Sequence, residues 1–229
     1  MTDITNTETL VDGLCFGEGP RWHLGRLYFS DMHGNTVYAV DTSGNLEAIV
    51  KLDDDEPSGL GWLPDGRMLI VSMRNRKLLV LDSGVLAEFA DLSGIATYHC
   101  NDMVTDLKGR SYVGNFGYDL HNNAEFQKAA LILVHPDGTT ELAADGLSFP
   151  NGTVITPDGK TLIVGESFGA KLTAFDINPD GSLANRREWA SMDGAVPDGI
   201  CLDEAGGIWV ASPISNEALR VIEGGEVTD

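Results

Sequence analysis

Basic side chains are scarce in this chain: 15 lysines and arginines stand against 35 aspartates and glutamates in 229 residues, a formal charge of −20. Such a surface repels a phosphate backbone or an anionic bilayer unless basic residues gather locally, and no basic cluster interrupts the sequence. Neither nucleic acid nor membrane is therefore expected as a partner. Cysteine is equally sparse. Cys15, Cys100 and Cys201 make an odd set without a Cys-x-x-Cys pair, which argues against a disulfide framework and for reduced thiols. No apolar run is long enough to span a bilayer, and the opening MTDITNTETL lacks the basic start and apolar stretch of a secretory leader. These absences predict a cytoplasmic protein. Because no linker, low-complexity tract or shift in composition divides the chain, one domain over residues 1–229 is expected.

What is present is a repeat. Turn-plus-strand segments recur as GRLYFSD (25–31), GRMLIVSM (66–73), GRSYVGN (109–115), GKTLIVGES (159–167) and GGIWVAS (206–212), with their glycines 41, 43, 50 and 47 residues apart. A second short apolar run closed by a turn follows each one, as in TVYAVDTSGN or LTAFDINPDG, and outer strands such as LEAIVKL (46–52) complete a unit. Four alternating strands in a period of roughly 40 to 50 residues is the mark of a propeller blade. A two-sheet sandwich also has many short strands, but it has no comparably steady period.

The repeat carries oxygen-bearing side chains in register. Glu18 lies seven residues before the turn glycine of its unit, and Asn101, Asn151 and Asp198 each lie eight before theirs. In a radial arrangement, equivalent positions on the innermost strands converge on the central axis, so these four are expected to ring one point. Oxygen-only ligands suit a hard divalent cation, calcium first, with magnesium, manganese or zinc as alternatives. Ser58 occupies the same position in the second unit, where its hydroxyl is a poor ligand and is expected to line a substrate pocket. Asn151-Gly152 and Asp198-Gly199 also read as ordinary turn dipeptides, and only their place in the repeat separates them from the other turns. The acidic run Asp53–Glu56 reads as a solvated loop between units.

At GEGPRW (17–22), LYFSD (27–31), CND followed by GRSYVGN (100–115), PNGTVITPDGKTLIV (150–164) and PDGICLDEAGGIWVA (197–211), the chain resembles the regucalcin (senescence marker protein), gluconolactonase and luciferin-regenerating enzyme family. The matches run through essentially the whole chain in the family's order. The resemblance implies an all-β, six-bladed calcium-dependent β-propeller of four-stranded blades, in which Glu18, Asn151 and Asp198 bind the metal. It implies further that Asn101 lies beside the metal and helps to hold it or the substrate, and that Asp198 accepts a proton. The implied activity is hydrolysis of a small-molecule lactone, the cation polarising the carbonyl while Asp198 activates water.

Specificity departs from that pattern. Sugar-lactonase members commonly carry an arginine two residues before the Asn101 position, where this chain has His99. Asp119 in GNFGYD is only an approximate counterpart of an acidic residue found after the following strand, and it and His99 are the candidate substrate contacts. With Tyr98, Phe116 and Tyr118 close in sequence, the pocket is expected to be more apolar than one built for a sugar lactone. Glu166 is expected to make structural hydrogen bonds. Two other activities are open to such a set: phosphotriester hydrolysis, or a non-catalytic calcium-binding propeller whose faces bind a partner. Only about five units are present, so the chain is expected to be a C-terminally truncated form in which TETLVDG (7–13), a ring-closing strand in the family, has lost its partners.

Overall fold

A computed structural model describes residues 8–229. Each glycine-marked segment of the repeat is a second strand, preceded by an inner strand and followed by one or two more. The first sheet holds β1 (Gly17–His23), β2 (Arg26–Asp31), β3 (Thr36–Val40) and β4 (Leu46–Lys51). The second holds β5 (Pro57–Trp62), β6 (Met68–Ser72), β7 (Lys77–Asp82) and β8 (Val85–Asp91). In the third are β9 (Cys100–Thr105), β10 (Ser111–Asn115), β11 (Ala129–Val134) and β12 (Thr140–Leu147). The fourth comprises β13 (Pro150–Ile155), β14 (Thr161–Glu166), β15 (Lys171–Ile177) and β16 (Leu183–Ser191), and the fifth β17 (Ile200–Leu202), β18 (Ile208–Ser212) and β19 (Glu217–Val221). All pairing is antiparallel and in chain order, which makes the structure an all-β propeller of five blades.

Four sheets have the expected four strands and the fifth has three. Gly224 and Gly225, at φ 98° and 94°, reverse the chain after β19, and the tail then returns along β19 with a bridge from Val227 to Val221 and hydrogen bonds from Thr228 N to Arg220 O (2.8 Å) and Arg220 N to Asp229 O (2.9 Å). Over residues 8–13 the segment expected to have lost its partners forms no strand, and Gly13 at φ 77° turns the backbone there; Thr7 lies outside the described residues.

Alternation along the strands builds the core between blades. On β14, Leu162 and Val164 pack with Tyr112 and Leu131 of the third sheet, whereas Ile163 packs with Ile208 and Val210 of the fifth. Inner strands pack on one another in series, β1 on β5, β5 on β9, β9 on β13 and β13 on β17. Glycine makes that approach close: a Cβ on Gly59 would come within 2.5 Å of the Met103 nitrogen, and one on Gly152 within 2.5 Å of Asp198 O and Ile200 N.

In four of the five blades the last residue of the second strand ties down the loop that leads into its own blade; in the third, Asn115 instead donates to the Ala130 carbonyl and accepts from the Gly117 N–H. Asp31 accepts from the backbone N–H groups of Cys15 and Phe16, Glu166 from that of Ser148, and Ser212 from that of Val196. In the second blade Ser72 donates to Asp55, which also accepts from the N–H groups of Arg74 (2.9 Å) and Asn75 (3.1 Å). Asp55 is therefore a buried anchor and not part of a solvated run; Asp53 and Asp54 are exposed as expected. None of the described helices is long and apolar enough to cross a membrane.

Candidate functional site

Because loops entering the inner strands are fixed from below, the first residues of those strands are held at one end of the channel. A cavity of about 470 Å³ between the first and fifth sheets is lined there by Glu18, Asn151 and Asp198, together with Asp102. A larger cavity of about 700 Å³ lies at the opposite end of the strands, among the turns at Asp106–Lys108 and Pro157–Lys160, and contains none of the candidate residues.

Negative charge is concentrated in the smaller cavity. Burial, and then the charges of Asp198 and Asp102, push the Glu18 carboxyl up to about 7 from an ordinary 4.5. Burial also raises Asp198, with Asp102 adding to the shift and a hydrogen bond with Asn151 opposing it. Asn151 is oriented in turn by Ser167: its Nδ2 donates to Ser167 Oγ (3.2 Å), and Ser167 Oγ donates to the Pro197 carbonyl (2.7 Å), joining the fourth and fifth blades beside Asp198. The Gly152 N–H bonds Asp198 O at 3.0 Å, so glycine is what lets the two strands carrying Asn151 and Asp198 meet. We expect Gly152→Ala to part them and to cost about 1–3 kcal/mol by overpacking. Thermal unfolding of the variant measures this; an unchanged midpoint would contradict it.

Arg21 crosses from β1 to β9, where its Nη2 meets Asp102 Oδ1 at 2.6 Å and donates to the Met103 carbonyl at 2.7 Å. The oxygen-bearing register of the repeat does not include Asp102 or Arg21, but the position after it marks Asp102. In four units the residue after the oxygen-bearing position is glycine (Gly19, Gly59, Gly152, Gly199), and in the third it is Asp102. Ser167 carried no sequence signal of that kind.

The other candidates lie outside the lining of this cavity. Asn101 is buried on β9, one residue before Asp102. Ser58 is buried at the start of β5, where its carbonyl accepts from Ser30 Oγ at 2.7 Å. His99 stacks on Tyr98 with ring centroids 4.1 Å apart, and its Nδ1 is buried without a hydrogen-bond partner. Burial, and then His121, lower its pKa. Asp119 caps the short 3₁₀ helix Leu120–Asn122 and accepts from Tyr98 Oη at 2.7 Å and Asn122 Nδ2 at 2.8 Å. Glu166 makes the expected structural bonds, accepting from Ser148 N and Thr173 Oγ1, each at 2.6 Å.

Among the described residues, no three His, Cys, Asp or Glu side chains converge in a ready-made metal cage. The donor set is instead two carboxylates and an amide, with the Arg21-paired Asp102 nearby. Burial pushes the Cys100 thiol up to about 12 and raises Cys201, so these two cysteines offer no ready thiolate. A hard cation fits the oxygen set and would offset the crowded negative charge.

Propeller blades with carboxylates gathered on the inner strands define the class of protein. The chain belongs to the SMP-30/Gluconolactonase/LRE-like family, whose characteristic region matches residues 16–229. It is 26% identical over 208 residues to a pentonolactonase of Haloferax volcanii, covering 88% of this chain and 68% of the relative. To a regucalcin of Xenopus laevis it is 26% identical over 213 residues, covering 90% and 71%. The solved structure of a Xanthomonas campestris gluconolactonase superposes with a TM-score of 0.80 at 24% identity, covering 96% of this chain and 76% of that one. A luciferin-regenerating enzyme superposes with a TM-score of 0.82 at 19% identity, covering 96% and 77%. At these identities the two structures establish the fold alone.

Proposed function

We propose that this chain is a metal-dependent lactonase that opens a lactone ring by hydrolysis at the Glu18–Asn151–Asp198 cluster, with Asn101 beside it and calcium as the first candidate cation. The observation that carries the reading is the meeting of Glu18, Asn151 and Asp198 in one channel cavity, with Glu18 pushed up to about 7 by burial and like charge. Relatives named pentonolactonase and gluconolactonase support it at the level of the family. A bound divalent cation supplies polarisation of the carbonyl and stabilisation of the oxyanion. Asp198 takes the proton of the attacking water and returns it to the departing ring oxygen, giving the hydroxy acid. Ser167 holds Asn151 against Asp198, and Arg21 offsets the charge of Asp102. Ser58, His99 and Asp119 are the proposed substrate contacts around this centre.

A six-bladed ring within a single, cytoplasmic propeller domain is part of the same reading. The opening between the first and fifth sheets, toward which Cys201 and Ala211 are exposed beside the half-buried Trp209, supports a sixth sheet there.

Hydrolysis of lactones followed by acid release, with calcium and after chelation, tests the activity. Turnover with calcium and its loss with chelator are expected; turnover indifferent to the metal contradicts the reading. Metal affinity carries a pH signature. Glu18 must lose its proton to ligate, so protons compete below about 7. Apparent affinity should rise with pH until about 7 and then level off, with proton release on binding at lower pH. Calorimetric titration in buffers of different ionisation enthalpy measures both. Affinity independent of pH across that range would exclude Glu18 as a ligand.

A further inference from the structure

Two residues before each oxygen-bearing position, in the loops entering the five inner strands, the repeat holds Phe16, Glu56, His99, Phe149 and Val196. These residues sit at the same end of the propeller as the Glu18–Asn151–Asp198 cavity, one step farther out along the chain, and Phe16 itself lines that cavity. Three of the five are rings. Phe149 is held at φ 63°, a left-handed backbone that a bulky residue rarely adopts, and its ring is stacked on Phe116 (4.6 Å) and set against Phe168 (4.8 Å). His99 lies 6.0 Å from Phe116, which makes the rings continuous from Phe168 to His99. Phe16 and Phe168 are each 48% exposed, so the outer surface of this layer stays open to a ligand.

Polar groups here are few and mostly engaged. The Glu56 carboxylate already meets His33 Nδ1 at 3.1 Å and Arg74 Nε at 3.4 Å. His99 is the exception: its Nδ1 is the one buried side-chain nitrogen or oxygen without a partner among the described residues, and stacking alone holds its ring. Buried polar atoms of this kind are normally satisfied, so a partner arriving with a ligand accounts for it.

We infer that the site takes a lactone bearing an aryl or alkyl substituent and disfavours a polyhydroxylated sugar lactone. The inference rests on the lactonase reading. The apolar substituent packs on Phe149, Phe168 and Phe16, while His99 turns to hydrogen-bond a lactone oxygen. A sugar lactone presents several hydroxyls to these rings with only the imidazoles of His99 and of His121, 5.7 Å from it, to meet them, and each hydroxyl left unpaired against a ring weakens binding. An aryl group gains both buried area and ring–ring contact.

The test compares 3,4-dihydrocoumarin, an aryl δ-lactone, with glucono-δ-lactone on the calcium-loaded full chain, for wild type, Phe168→Ala, Phe149→Ala and His99→Phe. We expect kcat/KM to favour the aryl lactone by about tenfold or more. Phe168→Ala and Phe149→Ala should raise KM for the aryl lactone by about tenfold and that for the sugar lactone much less. His99→Phe keeps the stacking and removes the nitrogen, so it should also lower kcat/KM for the aryl lactone. A preference for the sugar lactone, or an equal loss of both activities in the Phe168 variant, overturns the inference while the lactonase reading stands. If neither lactone is hydrolysed, that reading fails, and calorimetric binding of 3-(2-hydroxyphenyl)propanoate against gluconate decides this one. Binding of the aryl acid alone upholds an aromatic ligand site, and equal binding or none overturns it.

Discussion

Asp198→Asn is expected to lower lactone turnover by about 10²- to 10⁴-fold while leaving the fold and the bound cation in place. The amide keeps an oxygen of the right size beside Asn151 but cannot take a proton from water. The backbone of residue 198 is fixed independently of its side chain, by Asp198 N to Ala211 O at 2.9 Å and Gly152 N to Asp198 O at 3.0 Å, so the strand stays where it is. Removing one carboxylate also lessens the repulsion on Glu18, since Asp198 is the leading charge that raises it. The variant should therefore be as stable as the wild type without metal, or more so. Turnover, calcium titration and thermal unfolding on both proteins separate these effects. A variant that binds calcium and turns over lactone at the wild-type rate would remove Asp198 from the role of base.

Glu166→Ala is expected to act in the opposite way, through stability. The carboxylate is fully buried at the end of β14 and receives Ser148 N, Thr173 Oγ1 and Arg186 Nη2, with Lys171 Nζ at 3.8 Å. Its loss strands buried donors on both sides of the loop that carries Phe149 and Asn151, at a cost of about 3 kcal/mol or more. The pH dependence follows from the same contacts. Burial pushes the Glu166 pKa up, but the hydrogen bonds from Thr173 and Ser148 and the charges of Lys171 and Arg186 outweigh it and leave the pKa below the ordinary 4.5. A depressed pKa contributes stability that is present above the unfolded value and lost as pH falls through the folded one. The difference in unfolding free energy between wild type and Glu166→Gln should accordingly be greatest at neutral pH and shrink below about 4.5. A difference that does not change with pH would mean that the charge of Glu166 contributes nothing.

Much of the blade structure was legible in the sequence because each blade announces itself twice, by a turn glycine and by alternation along the strand after it. GRLYFSD, GRMLIVSM, GRSYVGN, GKTLIVGES and GGIWVAS all contain second strands, and LEAIVKL contains the outer strand β4. Register in the repeat predicts that Glu18, Asn101, Asn151 and Asp198 ring one point; Glu18, Asn151 and Asp198 line one cavity, and Asn101 is buried on β9 outside that lining. What stayed hidden depends on contacts between blades. Asp102 enters the cavity on a strand where the other units have glycine, and its partner Arg21 is 81 residues away in sequence. Ser167 acts through the Pro197 carbonyl of the next blade, a link with no spacing to betray it. Asp55 looked like one of four solvated acids because composition cannot tell a loop anchor from its exposed neighbours Asp53 and Asp54. In the fifth sheet, residues 226–229, where its outer strand is expected to begin, meet β19 through the Val227–Val221 bridge and the hydrogen bonds Thr228 N to Arg220 O and Arg220 N to Asp229 O.

The most direct measurement for the central claim is a crystal structure of this chain grown with calcium, with manganese soaked in its place to mark the cation by anomalous scattering. The account predicts one peak in the channel at the ends of β1, β13 and β17, with side-chain oxygens of Glu18, Asn151 and Asp198 within about 2.3–2.6 Å of the calcium and a remaining position open to water. A peak elsewhere, or no peak with these side chains bonded only to one another and to Ser167, would contradict it.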